Sequence, residues 1–472
     1  MNNGSDRDLL YQLNGRPKFL TAYPMGLQHV IAMFASNLAP IFIIAGIVGL
    51  EDADRVLMIQ CAMFASGITT LVQLYPIRIG KITIGGNLPI VMGTSFAFVA
   101  TASAVGVMGI EAGLEPRAAM ALVLTGAFFG AIAELLLGSV YKYVKNIFTP
   151  LVVGSVLLTI GINLLTVGSN YFAGGAGAYR LAEGETFAEH TLAFGSPLNL
   201  FLGFLTFFCV IIFQRFGKGI MKAAAILFGM IIGFIVAIPL GAVNFSSVTN
   251  ASLVSIPLPL QIGMFPNMDM ALSLRAIALF IVVYLISGIE TIGNTSGITV
   301  AAFDRKATSE ETSGALIADA CGSMFASLFN SLPNTAFGQN AGLVAMTKVI
   351  NKWAIALGAF TLIVASFMPK LGALFNSIPS AVLGGGVITV FAMIMMNGIK
   401  LIAKAGLDGR NGLIFAIIFG LGFGLGGNHE AIAGLPTIFI WIFEERTAAV
   451  FIVSIIATLL LSEKGALKGD AE

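Results

Sequence analysis

Charged side chains are scarce in this chain of 472 residues: only 10% are Asp, Glu, Lys or Arg, compared with about 25% in soluble domains. Hydrophobic residues make up 57%, and the mean hydropathy is +0.93. The net charge of +1 gives no indication of a nucleic-acid partner. The composition therefore indicates a polytopic membrane protein, with the lipid bilayer as its surroundings.

Cysteine and histidine are also rare, with three of each. Cys61, Cys209 and Cys321 each lie in an apolar segment and match no metal or disulfide spacing, so we expect small buried side chains. The sequence offers no nucleophile–base pair and no metal cluster. We therefore predict no catalytic residues, no metal site, no cofactor and no enzymatic activity.

Long apolar runs are what the chain has instead. Twelve runs of about 17–25 residues are each suited to a membrane-spanning helix. They lie near 26–48, 53–75, 117–140, 148–167, 196–214, 220–241, 271–293, 312–331, 353–369, 380–403, 409–427 and 447–462. Two further segments, 93–101 and 338–346, are too short and too polar to span alone and are interpreted as half-helices. The sequence thus predicts fourteen segments.

Lysine and arginine are distributed unevenly among the loops between these segments. Nineteen of the 25 fall on one side, which is expected to be cytoplasmic. An even number of segments puts both termini on that side. We predict a multi-pass protein of the cell (inner) membrane with both termini in the cytoplasm.

The two halves of the chain share motifs in the same order. Leu88-Pro89, before the first half-helix, resembles Leu332-Pro333, before the second. Seven segments is an odd number, so the second copy would enter from the opposite face, and inverted repeats with interrupted helices are typical of transporters. We predict an all-α membrane protein with two inverted seven-segment repeats. Its half-helices would meet at a short central antiparallel strand pair formed by 88–95 and 334–337, because lipid offers the extended backbone no partners.

Glu290 ends an apolar run that begins at Ile277. A carboxylate at this depth is costly unless it is paired, protonated or facing a wet cavity. We interpret Glu290 as a group that accepts a substrate N–H when ionised and takes up a proton when the site faces the other side. The alternative is a structural carboxyl bonded to a neighbouring helix. Asn294, one turn later, would orient Glu290.

The second half-helix begins after Gly338, where backbone N–H groups are unpaired and the helix dipole is positive. Gln339 offers one acceptor and two donors, which suits a planar amide-like edge such as that of a purine. Asn340 could bind in the same way or brace the loop. Both side chains could instead merely cap the half-helix.

Two further acids lie within apolar segments. Asp319 either belongs to a proton relay or locks helix ends by bonding backbone N–H groups. Glu134, in the fourth segment, is expected near a helix-packing interface or the interfacial zone.

Around the first half-helix, Phe96 beside Ser95 could stack on a planar ligand, with Thr94 in a supporting position. A packing role is the alternative for Phe96. His29, near the start of the first helix, is expected to support the site through helix packing.

The segment 339–348 resembles the signature of the nucleobase–ascorbate transporter family at every position. That signature is Gln or Glu, then Asn, any residue, Gly, any four residues, Thr, and finally Arg, Lys or Gly. Gln28-His29, the run 93–96 and Glu290 with Gly293 also resemble family motifs. The resemblance extends from about residue 26 to 462 and is to the xanthine and uric acid permease branch.

The resemblance implies a core domain (26–142 and 271–375) and a gate domain (143–245 and 376–462). The core domain comprises segments 1–4 and 8–11, and the gate domain comprises segments 5–7 and 12–14. It also implies a homodimer that works by elevator-like alternating access.

The implied function is secondary active import of a purine nucleobase, xanthine or uric acid, by proton symport, with Na⁺ not excluded as the coupling ion. Relatives that carry uracil have Glu where this chain has Gln339, so Gln339 favours a purine. Asn294 departs from the His or Asp of relatives. The predicted substrate-binding residues are Glu290, Gln339, Gly338, Asn340, Phe96 and Ser95; those for proton coupling are Glu290 and Asp319; and the supporting residues are His29, Asn294 and Thr94.

Two alternatives stay open. One is a uracil:proton symporter of the same family. The other is an anion transporter or channel of the same architecture; a channel of that kind would lack a buried acid facing Gln339.

Overall fold

The computed structural model describes residues 7–80, 82–144, 147–265 and 270–461, and these residues are mostly helical. The last predicted segment, 447–462, is described up to residue 461. The α-helices of the described ranges are α1 Phe19–Val48, α2 Asp52–Leu74, α3 Val99–Glu111, α4 Pro116–Val144, α5 Pro150–Phe172, α6 Pro197–Phe216, α7 Ile220–Ala223, α8 Ala225–Ala237, α9 Ser246–Asn250, α10 Met270–Phe303, α11 Ser309–Leu328, α12 Gly338–Thr347, α13 Lys352–Ser366, α14 Pro369–Asn376, α15 Ser380–Ala405, α16 Gly409–Ile417, α17 His429–Ile432, α18 Thr437–Glu444 and α19 Arg446–Leu460. The strands are β1 Ile77–Ile79, β2 Ile82–Ile84, β3 Met92–Thr94 and β4 Asn334–Ala336.

Every predicted segment overlaps a helix, but the predicted count of fourteen membrane spans is not established. In the described ranges, seven helices are long and apolar enough to cross a bilayer, and α13 with α14, bent by 86°, makes an eighth. The seven are α1, α2, α4, α5, α6, α10 and α15. The difference arises because the two half-helices do not span alone and several predicted spans are short or interrupted: α8 has 13 residues, and α16 passes into a π-helical turn at Ile418–Phe423.

The predicted central strand pair is confirmed. β3 and β4 are antiparallel, with Gly93 opposite Thr335. The ladder is extended by two backbone hydrogen bonds, from the Ser95 N–H to the Pro333 carbonyl (3.1 Å) and from the Phe337 N–H to the Val91 carbonyl (2.9 Å). All six strand residues are buried. Backbone at this depth must pair within the protein, and each interrupted segment supplies the partner of the other.

Both half-helices begin where this ladder ends. A 3₁₀ turn at Phe96–Phe98 leads directly into α3, and α12 begins at Gly338. The two helix starts are thereby brought to one place in the molecule.

One hairpin was not predicted. β1 and β2 pair antiparallel, with Ile77 opposite Ile84 and Ile79 opposite Ile82, in the connection between α2 and β3. Its exposed isoleucines alternate with polar residues, which is the pattern of a two-stranded ribbon.

The helices form two packed sets. α2 packs on α13, α1 packs on α13, and α4 packs on both α10 and α11, whereas α5 packs on α15 and α6 packs on α8 and α15. The predicted core and gate boundaries follow the same division of the helices but stay a prediction.

Glycine permits a close backbone crossing between α1 and α13. A Cβ atom at Gly26 would lie 1.8 Å from the carbonyl oxygen of Ala354, and one at Gly358 would lie 2.4 Å from the carbonyl oxygen of Gly26. Neither backbone oxygen can yield without shifting a helix. This contact therefore fixes the distance between the first helix and a helix of the second half of the chain.

Gly26→Ala is expected to destabilise the protein by about 1–3 kcal/mol, because the added methyl group forces two packed helices apart. The measurement is the thermal unfolding midpoint of the purified protein in detergent. Gly177→Ala is the matched control, since a Cβ atom there meets nothing within 4 Å. Equal midpoints for the two variants would contradict the account of this crossing.

Candidate functional site

A cavity of about 500 Å³ lies where the two half-helices meet. Its walls come from α10, from the segments 95–96 and 335–339, and from α5 and α15 on the opposite side. Its lining residues are Ser95, Phe96, Val153, Leu157, Ile289, Glu290, Gly293, Asn294, Thr335, Ala336, Phe337, Gly338, Gln339, Val390, Met393, Ile394, Asn397, Lys400 and Leu401. Of the six predicted substrate-binding residues, four lie on α10 or at the start of α12. Five of the six line this cavity, and Asn340 is the exception.

Glu290 and Gln339 both line the cavity with unused hydrogen-bonding capacity. Within the described part of the chain neither side chain has a hydrogen-bond or ion-pair partner, although both are partly buried. A carboxyl and a carboxamide left without partners in a largely apolar cavity are suited to a polar ligand. The alternative in which Glu290 is bonded to a neighbouring helix does not fit this geometry.

The start of α12 is open to the cavity. Phe337 occupies the N-cap position of the helix, and the helix start has no side-chain capping bond. The N–H groups of Gly338 and Gln339 have no helical acceptor at this end, and the positive end of the helix dipole lies beside the cavity. This end of the cavity therefore favours carbonyl or anionic oxygen atoms.

Asn340 does not line the cavity. It is 4% exposed, and its Nδ2 group donates to the carbonyl oxygen of Pro89 while its Oδ1 atom bonds to Nδ1 of His29. Both partners belong to the first half of the chain. The geometry thus matches the bracing alternative for Asn340, with His29 buried behind it in the supporting position predicted for it.

Asp319 also lies outside the cavity lining and has three donors. Thr291 donates its hydroxyl to Oδ2, Gln73 donates to Oδ1 over 3.1 Å, and the backbone N–H of Ala336 donates to Oδ2 over 3.1 Å. Asp319 therefore joins α2, α10 and β4. Of the two roles considered for it, locking backbone N–H groups is the one its contacts match.

Asn294 lines the cavity, but its amide is used by the strand. Its Nδ2 group donates to the carbonyl oxygen of Ala336 over 2.8 Å, and a Cβ atom at Gly338 would lie 2.9 Å from its Oδ1 atom. The expected orientation of Glu290 by Asn294 is not found, because the outer edge of β4 requires a donor at this point. Gly338 leaves the space that Asn294 occupies.

The first half-helix contributes Ser95 and Phe96 to the lining. Ser95 accepts from the N–H of Ala97 over 3.2 Å and so caps the 3₁₀ turn. Phe96 lines the cavity and packs edge-to-face on Phe391 of α15, with ring centroids 5.2 Å apart. Thr94 lies in β3, where its N–H donates to Asn37, and does not line the cavity.

Sequence reasoning missed two groups of residues. Asn397 and Lys400, one turn apart on α15, line the cavity from the side opposite Glu290; the signal was a polar pair within the apolar run 380–403. Asn37 and Asn334 hold the strands: Asn37 accepts from Ser66 over 3.0 Å, and Asn334 donates to Ser66 over 2.9 Å. Their signal was the recurrence of buried polar residues in otherwise apolar helices.

Asp319→Ala is expected to lower the unfolding midpoint, because it leaves three buried donors unpaired at about 1–3 kcal/mol each. Asp319→Asn retains one acceptor oxygen and is expected to lie between the wild type and the alanine variant. The measurement is thermal unfolding in detergent. Glu310→Ala, an exposed acid in the first turn of the same helix, is the control, and an equally small effect of Asp319→Ala would refute the locking role.

Comparisons with known proteins agree on the class of protein. A sequence model described as the Permease family, of xanthine and uric acid permeases, matches residues 20–431. The chain is 31% identical to a putative purine permease of Clostridium perfringens, with 93% of this chain and 90% of the relative covered. It is 30% identical to xanthine permease XanQ of Escherichia coli K12 (97% and 95% covered) and 30% identical to that organism's uric acid transporter UacT (88% and 80% covered).

Solved structures support the fold. The chain resembles the transmembrane domain of a cyanobacterium bicarbonate transporter, BicA, with a TM-score of 0.58 at 15% identity, covering 96% of this chain and 98% of that domain. It resembles murine Slc26a9, an anion transporter in the inward-facing state, with a TM-score of 0.62 at 11% identity (96% and 70% covered).

The family model covers nearly the full chain and the curated relatives are permeases, so the protein is a multi-pass membrane transporter and not an enzyme. Its motifs at 339–348 and its cavity match the same assignment. The chain belongs to the xanthine and uric acid permease family, the nucleobase–ascorbate transporters that its sequence resembles.

Proposed function

We propose that this protein imports a purine nucleobase, xanthine or uric acid, by proton symport through the cavity between its two half-helices. The observation that carries the proposal is the pair of unpartnered side chains, Glu290 and Gln339, on one cavity wall. Relatives described as xanthine permease and uric acid transporter at 30% identity support the choice of substrate.

An oxidised purine presents ring N–H donors beside carbonyl acceptors in one plane. Glu290, as a carboxylate, accepts a ring N–H, and Gln339 supplies both an acceptor and donors along the same edge. The open N–H groups at Gly338 and Gln339 donate to a substrate carbonyl oxygen. The face of Phe96 stacks on the ring system, and a cavity of about 500 Å³ lies within the range of small-molecule sites.

Proton coupling is assigned to Glu290, with Asp319 in the locking role that its three hydrogen bonds support. Glu290 binds the substrate N–H when ionised and cannot do so when protonated, so substrate affinity depends on its charge. Thr291, which donates to Asp319, is the residue after Glu290 in α10. Na⁺ is the alternative coupling ion.

Alternating access follows from the walls of the cavity. The polar wall belongs to the proposed core (26–142 and 271–375), and the opposite wall, from α5 and α15, belongs to the proposed gate (143–245 and 376–462). An elevator-like movement of the core along the gate would carry the whole polar wall across. We include in this proposal a homodimer, fourteen segments, a location in the cell membrane and both termini in the cytoplasm.

The substrate is tested by uptake of labelled xanthine into proteoliposomes, with uric acid, uracil and bicarbonate as competitors, at two external pH values. Strong competition by uric acid and none by bicarbonate is the expected result. Competition by uracil alone would favour the pyrimidine alternative. Bicarbonate transport without xanthine uptake would favour the anion alternative, for which Lys400 in the cavity lining is the supporting residue.

Glu290→Gln is expected to abolish accumulation driven by an imposed pH gradient, because the carboxamide keeps the shape of the side chain but cannot exchange a proton. The measurement is the ratio of internal to external labelled xanthine, which should fall to about one. Glu183→Gln, an exposed loop acid, is the matched control. Wild-type accumulation by the Glu290 variant would remove that residue from coupling.

Gln339→Glu is expected to weaken xanthine binding at least about tenfold, or 1.4 kcal/mol, because the carboxylate loses both amide donors. It should also admit uracil as a competitor. The measurement is the dissociation constant by binding titration, with the exposed Gln12→Glu as control. Unchanged affinity would place Gln339 outside the substrate contacts.

A further inference from the structure

Glu134 lies in a closely packed part of the helix bundle. In α4 it continues a series of glycines at four-residue intervals, Gly126, Gly130 and then Gly138. This face of α4 packs on α10 and α11. Glu134 is the one ionisable member of the series, and its exposed fraction is 0%.

The glycines bring the neighbouring backbones very close to Glu134. A Cβ atom at Gly130 would lie 2.6 Å from Cβ of Phe280 in α10, and one at Gly138 would lie 2.9 Å from Ile317 in α11. Opposite the carboxyl, a Cβ atom at Gly288 would lie 3.6 Å from Oε1 of Glu134. The carboxyl therefore occupies the small space that Gly288 leaves in α10.

Neither carboxyl oxygen of Glu134 has a hydrogen-bond partner among the described residues. The hydroxyl of Ser287, the residue before Gly288, is equally buried and without a partner. A carboxylate with no donor in such surroundings costs many kcal/mol, and buried carboxyl groups avoid this cost by taking up a proton. The packing is thus compatible with a carboxylic acid and not with a carboxylate.

The other two acids of this region differ from Glu134 in their partners. Asp319 accepts three hydrogen bonds, which suits a negative charge. Glu290 lines the cavity, where a ligand can supply a donor. Only Glu134, of these three, has neither protein donors nor access to the cavity.

We propose that Glu134 is a second proton-binding site besides Glu290, and that the coupling proton resides on the carboxyl group of Glu134 in the conformation described here. Binding forms one O–H bond on the carboxylate and changes no other bond. Because a charge at Glu134 would be unpaired in this packing, release of the proton requires the contact between α4 and α10 to open. The coupling part of this inference rests on the proposed proton symport.

The titratable groups that face Glu134 belong to two helices. Glu290 and Tyr284 lie on α10 and Asp319 on α11, and their electrostatic interactions reach Glu134. The remaining helices that touch α4 add little: α3 has one titratable residue, Glu111 at its last position, and α1 has Tyr23 and His29. Two acids on adjoining helices thus disfavour a third negative charge, and the proton at Glu134 removes that repulsion.

The protonation state is measured directly by infrared spectroscopy of the purified protein in lipid at neutral pH. A carboxylic-acid C=O band that shifts in ²H₂O is expected in the wild type and should be lost in Glu134→Gln. Glu111→Gln, exposed at the end of α3, is the control and should keep the band. A spectrum of Glu134→Gln identical to the wild type would overturn the proposal, whatever the transported substrate is.

The coupling role is measured in proteoliposomes that contain a pH-sensitive dye. Glu134→Gln is expected to retain xanthine exchange within about twofold of the wild type, because the carboxamide imitates the protonated acid, but to lose xanthine-dependent proton uptake. Proton uptake at the wild-type rate would overturn this role. If the wild type itself moves no protons with xanthine, the proposed symport fails, and the infrared result still decides whether Glu134 holds a proton.

Discussion

The arrangement of the molecule depends on one requirement, that extended backbone buried among membrane helices must find its hydrogen-bond partners inside the protein. β3 and β4 pair with each other in the centre, and side chains complete the hydrogen bonding. Asn37 accepts from the N–H of Thr94, and Asp319 accepts from the N–H of Ala336. The strands come from opposite halves of the chain. The position of both half-helices, and with it the cavity, follows from this pairing.

Three acids of this region differ in the hydrogen-bond donors that surround them. Asp319 has a full set of donors and stabilises structure. Glu290 has none among the described residues but lines the cavity, where a ligand can supply one. Glu134 has none among the described residues and does not line the cavity. The distinction is one of packing, since all three lie on the adjoining helices α4, α10 and α11.

The sequence was sufficient for the helical segments, the family and the central strand pair, because hydropathy, the motif at 339–348 and the two polar interruptions are local signals. It was insufficient for the partners of individual side chains. Asn294 bonds to Ala336 rather than orienting Glu290, and Asn340 bonds to Pro89, because such contacts depend on how distant segments cross. The contribution of α15 to the cavity, through Asn397 and Lys400, was hidden for the same reason. The hairpin of β1 and β2 lies in a short connection whose alternating pattern is brief.

The bond from Asn340 to the carbonyl oxygen of Pro89 joins the start of α12 to the approach of the other half-helix. Together with the glycine crossing of Gly26 and Gly358, it joins the two halves of the chain beside the cavity. On the proposed elevator mechanism these contacts would move with the polar wall, and the direction of net flow would be set by the gradients of substrate and proton.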